Sequence, residues 1–142
     1  MKSHEVNIIG TLNMLEANKK YNKNLKKFVF ASSAAVYGNT EDLPQKVKSY
    51  IEPESPYAIE KYAGEQYSKI YSKLYDLPTT ALRFFNIFGA RQDPNSPYSG
   101  VISIMHKQFS DNDRFTFYGD GKQTRDFVYV KDLVQVVDIV FN

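Results

Sequence analysis

Residues 26–38 read KKFVFASSAAVYG, an apolar run followed by small and turn-forming residues. Phe28 to Ala31 are continuously apolar, which is typical of a short strand buried on both faces of a sheet. Ser32 and Ser33 follow at the carboxyl end of that strand. Ligands of open α/β sheets bind at this end of the strands. The stretch therefore predicts a buried strand with a candidate ligand site directly after it.

Helices are predicted on both sides of this strand. Before it, apolar residues recur at helical spacing until a polar cluster at residues 18–24; they are Val6, Ile9, Leu12, Met14 and Leu15. After it, residues 39–56 are polar and rich in turn formers, which predicts a loop. Ser55 can then cap a helix that has Pro56 in its first turn. We expect that helix to continue to about Tyr75.

The rest of the chain continues the alternation of strands and helices. TTALRFFNIFG, residues 79–89, predicts a second buried strand, and ARQDPNSPYSG, residues 90–100, a loop. A short helix at 101–110, two short strands around a glycine turn within 114–130, and a closing helix at 131–142 should follow. This order favours an α/β architecture, a parallel sheet covered by helices.

Composition limits the function classes. A chain of 142 residues can bury one respectable core, and its net charge of +2 gives no electrostatic case for nucleic acid. The absence of cysteine excludes disulfides, thiol catalysis and zinc sites built on thiolates. His4 and His106 have no partner at metal spacing, so we predict no metal site. No apolar run approaches the roughly 20 residues of a membrane span, which leads us to expect a cytoplasmic protein without membrane contact.

One expected feature of a nucleotide-binding sheet does not occur in the sequence. A doubly wound sheet of this kind carries a glycine-rich turn between its first strand and first helix, where backbone amides hold a pyrophosphate. The chain instead opens on a predicted helix. We therefore expect it to be an internal piece of a longer protein, or one part of a split protein, and to form part of a Rossmann-like sheet without its N-terminal strands.

The predicted helix after residue 55 begins SPYAIEK and pairs a phenol with an amine. Tyr57 and Lys61 are four residues apart and so share one helix face. A phenol is almost fully protonated near neutral pH, and a neighbouring ammonium favours its phenolate form. Tyr57 is therefore a candidate general acid/base for a hydroxyl proton. The spacing alone is weak, because Tyr118 and Lys122 repeat it.

The order of these motifs is more specific than any one of them, and it resembles a known family. The chain is similar to the extended short-chain dehydrogenase/reductase enzymes, and within them to the NAD-dependent nucleotide-sugar 4-epimerases. The resemblance covers nearly the whole chain and rests on NIIGTLNMLEA (7–17), FVFASSAAVYG (28–38), SPYAIEK (55–61), LRFFNIFG (82–89) and TFYGDGKQTRDFVYVKDL (116–133).

The resemblance implies roles for individual residues. The implied catalytic residues are Ser33, Tyr57 and Lys61. The implied NAD-binding residues are Asn7, Ala31, Tyr57, Lys61 and Phe85. The implied substrate-binding residues are Ser33, Asn86, Tyr118 and Arg125, the last because a guanidinium donates two hydrogen bonds to a phosphate at once.

The reaction implied by the resemblance is epimerisation at C4 of a UDP-sugar, UDP-glucose and UDP-galactose or their N-acetyl forms. Tyr57 would remove the 4-hydroxyl proton while a hydride passes to NAD, and the 4-keto sugar would take the hydride back on its opposite face. A nucleotide-sugar 4,6-dehydratase is the alternative, but such relatives carry an acidic residue where Ala34 and Ala35 stand here. Residues 89–103 resemble epimerases that accept UDP-N-acetylglucosamine as well as UDP-glucose. A hypothesis of another class is an inactive chain that only self-associates.

The same resemblance suggests a domain organisation. Residues 1–90 would be the C-terminal half of the NAD-binding domain, 91–126 part of the substrate-binding region, and 127–142 a strand and helix that return to the main domain. The full-length protein would be a homodimer joined through the helix that bears Tyr57. Tyr67, Ile70, Tyr71 and Leu74 on that helix would face either the partner or the sheet of the same chain.

Overall fold

The computed structural model describes residues 2–96 and 99–142. The helices are α1 (Lys2–His4), α2 (Gly10–Tyr21), α3 (Pro56–Tyr75), α4 (Val101–Ser110) and α5 (Val130–Phe141), and the strands are β1 (Phe28–Ser33), β2 (Thr79–Phe84), β3 (Asn86–Phe88) and β4 (Phe127–Tyr129). A π-helical segment, Glu5–Ile9, joins α1 to α2, and a 3₁₀ helix, Ala34–Tyr37, follows β1. Residues 97 and 98, within the predicted loop 90–100, lie outside the described residues. None of the described helices is long and apolar enough to cross a membrane.

The described residues form two compact units, one that ends at Phe84 and one that runs from Phe85 to Val140. In the first unit, β1 and β2 pair in parallel, with Phe28 opposite Thr79 and Ser33 opposite Phe84. Helix α3 makes the connection between them, as parallel strands require. The prediction of an α/β architecture with parallel strands is confirmed.

The N-terminal helix is confirmed, and its apolar residues are only partly buried. Val6, Ile9 and Met14 are exposed, whereas Ile8 and Leu15 are buried. Of the five predicted apolar positions, Leu15 is buried and Leu12 packs, partly buried, against the same cluster.

Helix α3 begins and ends as predicted. The Ser55 hydroxyl oxygen accepts a hydrogen bond from the Ala58 amide at 3.1 Å, and Pro56 occupies the first turn. The helix ends at Tyr75 because Asp76 adopts a left-handed conformation, with φ of 53°. Both signals are local, so the sequence alone sufficed to locate them.

The apolar residues of α3 divide between the interior and the surface. Tyr71 forms a buried cluster with Leu15 of α2 and Leu77, and Tyr67 packs against it. The Tyr71 hydroxyl also donates a hydrogen bond to Glu16 of α2, which raises the pKa of Tyr71 to about 12. Ile70 and Leu74 are exposed. Tyr67 and Tyr71 therefore pack within the chain, whereas Ile70 and Leu74 face outward.

Gly64 allows α3 to pack closely on β1. A Cβ atom at this position would lie 2.2 Å from Cζ of the buried Phe30 ring. We expect Gly64→Ala to lower the free energy of unfolding, measured by urea titration, by about 1–3 kcal/mol, the usual cost of overpacking.

Gly10→Ala is the matched control in a second helix. The nearest atom to a Cβ there lies at 3.6 Å, which is ordinary van der Waals contact. Alanine is the better helix former, so this variant should gain about 0.5–1 kcal/mol. If Gly64→Ala were stabilised as much as Gly10→Ala, the close packing of Gly64 on Phe30 would be contradicted.

The second unit contains another parallel pair and two helices. Asn86 lies opposite Phe127 and Phe88 opposite Tyr129, which pairs β3 with β4. The predicted strand over 79–89 is therefore two strands that break at Phe85 and pair with different partners. Helices α4 and α5 confirm the two predicted helices. Of the two strands predicted within 114–130, only β4 forms; residues 114–118 are irregular and pair with none of the described strands.

Candidate active site

Tyr57 and Lys61 lie on the first turns of α3 and share one side of the helix. The Lys61 Nζ atom is 5.7 Å from the centroid of the Tyr57 ring and 5.4 Å from that of Phe30. It donates a hydrogen bond to the Ala31 carbonyl oxygen at 3.0 Å. The amine is therefore held at the carboxyl end of β1, with the phenol beside it, as the spacing predicts.

The surroundings of Lys61 make its amine unusual. The side chain is partly buried, and burial lowers the pKa of Lys61, while the nearby Glu60 carboxylate acts in the opposite direction. An ammonium has three donors, and the Ala31 carbonyl uses one of them. Tyr57 is 46% exposed, so a ligand can reach its phenol.

The two adjacent serines differ in their environment. The Ser33 hydroxyl oxygen accepts a hydrogen bond from the Ala35 amide at 3.2 Å and so caps the short 3₁₀ helix after β1. Ser32 is buried and donates to Glu65 at 2.6 Å. Ser33 is thus the serine at the mouth of the sheet. In the part of the chain that is described, it shares no hydrogen bond with Tyr57; such contacts often tighten only when substrate is bound.

Asn7 contacts α3 through Glu60, a residue that the sequence reasoning missed. Asn7 Nδ2 donates to Glu60 Oε2 at 2.8 Å, and the Ser3 hydroxyl donates to the same oxygen at 2.6 Å. These two bonds lower the pKa of Glu60, which is only 8% exposed. His4 Nδ1 lies 3.9 Å from the other carboxylate oxygen. The sequence offered one signal for Glu60, which is that a carboxylate stands directly before Lys61 in SPYAIEK.

Asn7 also lies in the π-helical segment. Single π turns within α-helices occur frequently at functional sites. Its side-chain nitrogen is committed to Glu60 and Ser3.

The remaining predicted residues belong to the second unit. Asn86 Nδ2 donates to the Asp126 carbonyl at 2.8 Å and so links the start of β3 to the residue before β4. Phe85, which follows β2 and precedes β3 in the chain, is partly buried. Tyr118 is 85% exposed, and Arg125 donates to the carbonyl of its neighbour Thr124. A cofactor or substrate role for these residues stays a prediction.

The structure also separates the two Tyr-Lys pairs. Tyr118 lies in an irregular turn rather than on a helix, and Lys122 is directed toward Asp120, with Nζ 3.8 Å from Oδ2. Of the two pairs, only Tyr57 and Lys61 lie on a helix, with the amine beside the ring and both groups near the end of a strand.

Known proteins resemble this chain over almost its full length. Residues 2–142 match the model of the NAD dependent epimerase/dehydratase family. A curated relative from Methanocaldococcus jannaschii, provisionally named UDP-glucose 4-epimerase, is 46% identical over 139 residues, 97% of this chain. The solved UDP-N-acetylglucosamine 4-epimerase of Methanobrevibacter ruminantium M1, in complex with UDP-N-acetylmuramic acid, is 40% identical over 97% of the chain, with a TM-score of 0.91. UDP-glucose 4-epimerase of Thermus thermophilus, in complex with NAD, is 36% identical over 97% of the chain, with a TM-score of 0.88.

The chain spans less than half the length of these proteins. It covers 45% of the Methanocaldococcus relative, and 44% and 46% of the two solved chains.

Proposed function

The chain belongs to the NAD dependent epimerase/dehydratase family, and on that premise we propose that the whole protein inverts C4 of a UDP-sugar by transient oxidation to a 4-keto sugar. The observation that carries the proposal is the arrangement of three groups: the Tyr57 phenol, the Lys61 amine 5.7 Å from its ring, and the Ala31 carbonyl that binds this amine.

The reacting proton is assigned to Tyr57. Its exposed phenol takes the proton of the sugar 4-hydroxyl and later returns it, as a general base and then a general acid. The positive charge of Lys61 beside the ring favours the phenolate through the first of these steps. Ser33 donates a hydrogen bond to the same sugar oxygen and orients it toward Tyr57.

The residues present fit the nicotinamide end of NAD. The Ala31 carbonyl fixes the direction of the Lys61 amine, whose other donors suit the paired hydroxyls of a ribose. Asn7 directs its amide nitrogen to Glu60, so its amide oxygen is the group that meets the cofactor. Ala31 and Phe85 complete the set that we assign to NAD. When bound, NAD would supply the hydride acceptor and donor for C4 of the sugar.

The substrate residues are part of the same proposal. Asn86 and Arg125 would bind the diphosphate, and Tyr118 would lie near the nucleotide. The names of the relatives support a UDP-sugar, either UDP-glucose or its N-acetylated counterpart. A 4,6-dehydratase is disfavoured, because Ala34 and Ala35 in the 3₁₀ helix after Ser33 carry no group that moves a proton.

We extend the proposal to the organisation of the protein. Residues 1–90 serve NAD binding, 91–126 serve the substrate, and 127–142 return to the main domain. Two subunits join through α3, where Ile70 and Leu74 are exposed and available to a partner. A cytoplasmic location is in keeping with the absence of cysteine.

Two measurements test the function. Incubation of the whole protein with NAD and UDP-glucose, and separately with NAD and UDP-N-acetylglucosamine, should yield the 4-epimer of at least one of these two sugars. Ion-exchange chromatography detects the product. A failure to convert either sugar would contradict the proposal.

Binding of NAD to the 142-residue chain is followed separately, by melting temperature. A ligand at 100 times its Kd stabilises the folded state by about 2.7 kcal/mol. Lys61→Met should abolish the rise in melting temperature, while Lys69→Met, an exposed lysine on the same helix, should leave it unchanged. No rise at millimolar NAD, together with concentration-dependent sedimentation, would favour a chain that only self-associates.

A further inference from the structure

We propose that Glu65 is a positioning residue for Lys61, acting through hydrogen bonds to Ser32 and Arg83 that hold α3 in one register on the ends of β1 and β2. The proposal rests on the proposed function for its catalytic meaning. Its geometry and its test stand without that function.

The three side chains meet at a single register position of the sheet. Ser32 of β1 and Arg83 of β2 are direct neighbours across the parallel pair. Glu65 Oε1 accepts from the Ser32 hydroxyl at 2.6 Å and from Arg83 Nε at 2.8 Å, and its Oε2 accepts from Arg83 Nη2 at 2.8 Å. One carboxylate on α3 therefore binds both strands of the sheet.

Because these side chains are buried, their contact favours one position of α3 along the sheet. Ser32 and Glu65 are 3% and 7% exposed, and the Arg83 side chain is 17% exposed. The Glu65 carboxylate holds the pKa of Arg83 well above its usual range. A buried charge is costly unless its partner and hydrogen bonds are in place, so a shift of α3 along the sheet would leave both charges uncompensated.

Lys61 lies one helical turn before Glu65, on the same face of α3. Its amine binds the carbonyl of Ala31, and Glu65 binds the hydroxyl of the next residue, Ser32. Two residues one turn apart on the helix thus contact two consecutive residues of the strand. When the contact of Glu65 is lost, the amine of Lys61 is no longer held on its carbonyl.

Arg83 extends the same network to the loop after the 3₁₀ helix. Its guanidinium lies 4.8 Å from the centroid of the Tyr37 ring, and its Nη1 donates to the Val47 carbonyl at 3.3 Å. The ion pair therefore joins the two strands, α3 and the loop 39–55, which explains why a charged residue stands within the apolar segment TTALRFFNIFG.

The test measures the environment of the Lys61 amine in the 142-residue chain. Lysines are dimethylated with ¹³C-formaldehyde, the Lys61 signal is assigned with Lys61→Arg, and its pKa is read from an NMR pH titration. Burial lowers the Lys61 pKa in the wild type, and the Glu60 carboxylate acts in the opposite direction.

Two variants remove the contact without a change in net charge. Ser32→Ala removes the link to β1, and the double variant Glu65→Met/Arg83→Met removes the ion pair; a buried pair replaced by apolar residues is often tolerated. We expect the Lys61 pKa to rise toward its ordinary value in both, because the amine is released to water. Lys107→Met/Asp111→Met, which removes the exposed ion pair of α4, is the matched control and should leave it unchanged.

The outcomes separate positioning from stability. A Lys61 pKa that is identical in wild type and both variants, while their stabilities differ, would overturn the proposal and leave the network purely structural. If the double variant does not fold, the titration of Ser32→Ala decides alone.

In the whole, active protein, Ser32→Ala should lower kcat about tenfold with KM little changed, since small displacements of a catalytic group have effects of this order or larger. Failure of the whole protein to epimerise either UDP-sugar would contradict the proposed function without affecting the Lys61 titration.

Discussion

Replacement of Tyr57 by phenylalanine is expected to reduce kcat for 4-epimerisation by about 10²- to 10⁴-fold, the usual contribution of a positioned general acid/base. The phenol is the proton acceptor that the site offers beside the Lys61 amine, 5.7 Å from the ring centroid. The ring itself remains in the variant, so its packing against the amine is retained. UDP-sugar binding, measured by calorimetry, should therefore stay within about twofold of wild type.

Tyr75→Phe provides the matched control for this loss. Tyr75 is the last residue of the same helix and is 44% exposed, compared with 46% for Tyr57. Its ring contacts Lys19, at 4.0 Å from the amine, and that contact does not require the hydroxyl. The control should keep full activity. Retention of more than a few per cent of wild-type activity in Tyr57→Phe would show that another group moves the proton.

Gly38→Ala is expected to have the largest effect on stability. Gly38 ends the SSAAVYG segment with φ of 69° and ψ of −154°, a backbone region that is essentially restricted to glycine. A Cβ atom there would lie 2.1 Å from the backbone oxygen of Glu52. That segment cannot easily withdraw, because the Glu52 amide donates to the Val36 carbonyl at 3.1 Å. We expect a loss of roughly 3 kcal/mol or more in the free energy of unfolding, from backbone strain and the steric clash together.

Gly121→Ala separates these two causes. Gly121 has a similar φ of 73°, but no atom lies within 4 Å of the position of its Cβ. This variant should lose about 1–2 kcal/mol, the cost of a left-handed conformation alone. Urea unfolding of both variants measures the difference. Equal losses would indicate that the approach of Glu52 to Gly38 does not occur in solution.

The pairing of Tyr57 with Lys61 illustrates what can be predicted from a sequence. A helix fixes the geometry of residues four apart, and the start of that helix follows from the cap at Ser55. The same spacing recurs at Tyr118 and Lys122, but the sequence predicts a glycine turn there and not a helix. The structure agrees, because residues 114–126 form no helix.

The division of roles between Ser32 and Ser33 could not be predicted from their order alone. Both are small residues at a strand end, and alternation along a strand says only that they face opposite ways. The position of Glu65 opposite Ser32 decides which serine is buried in the ion-pair network and which caps the 3₁₀ helix. Glu60 was missed for a similar reason, because its partner Asn7 is 53 residues away in the chain.

The sequence by itself determined the alternation of helices and strands, the cap and end of α3, and the Tyr57 and Lys61 pair, because each depends on residues within a few positions of one another. Tertiary structure decided the π turn at Asn7, the break between β2 and β3, and the Glu65 network. These features depend on which distant segments meet, and a buried carboxylate or an unpaired strand takes its partner from wherever the packed chain supplies one.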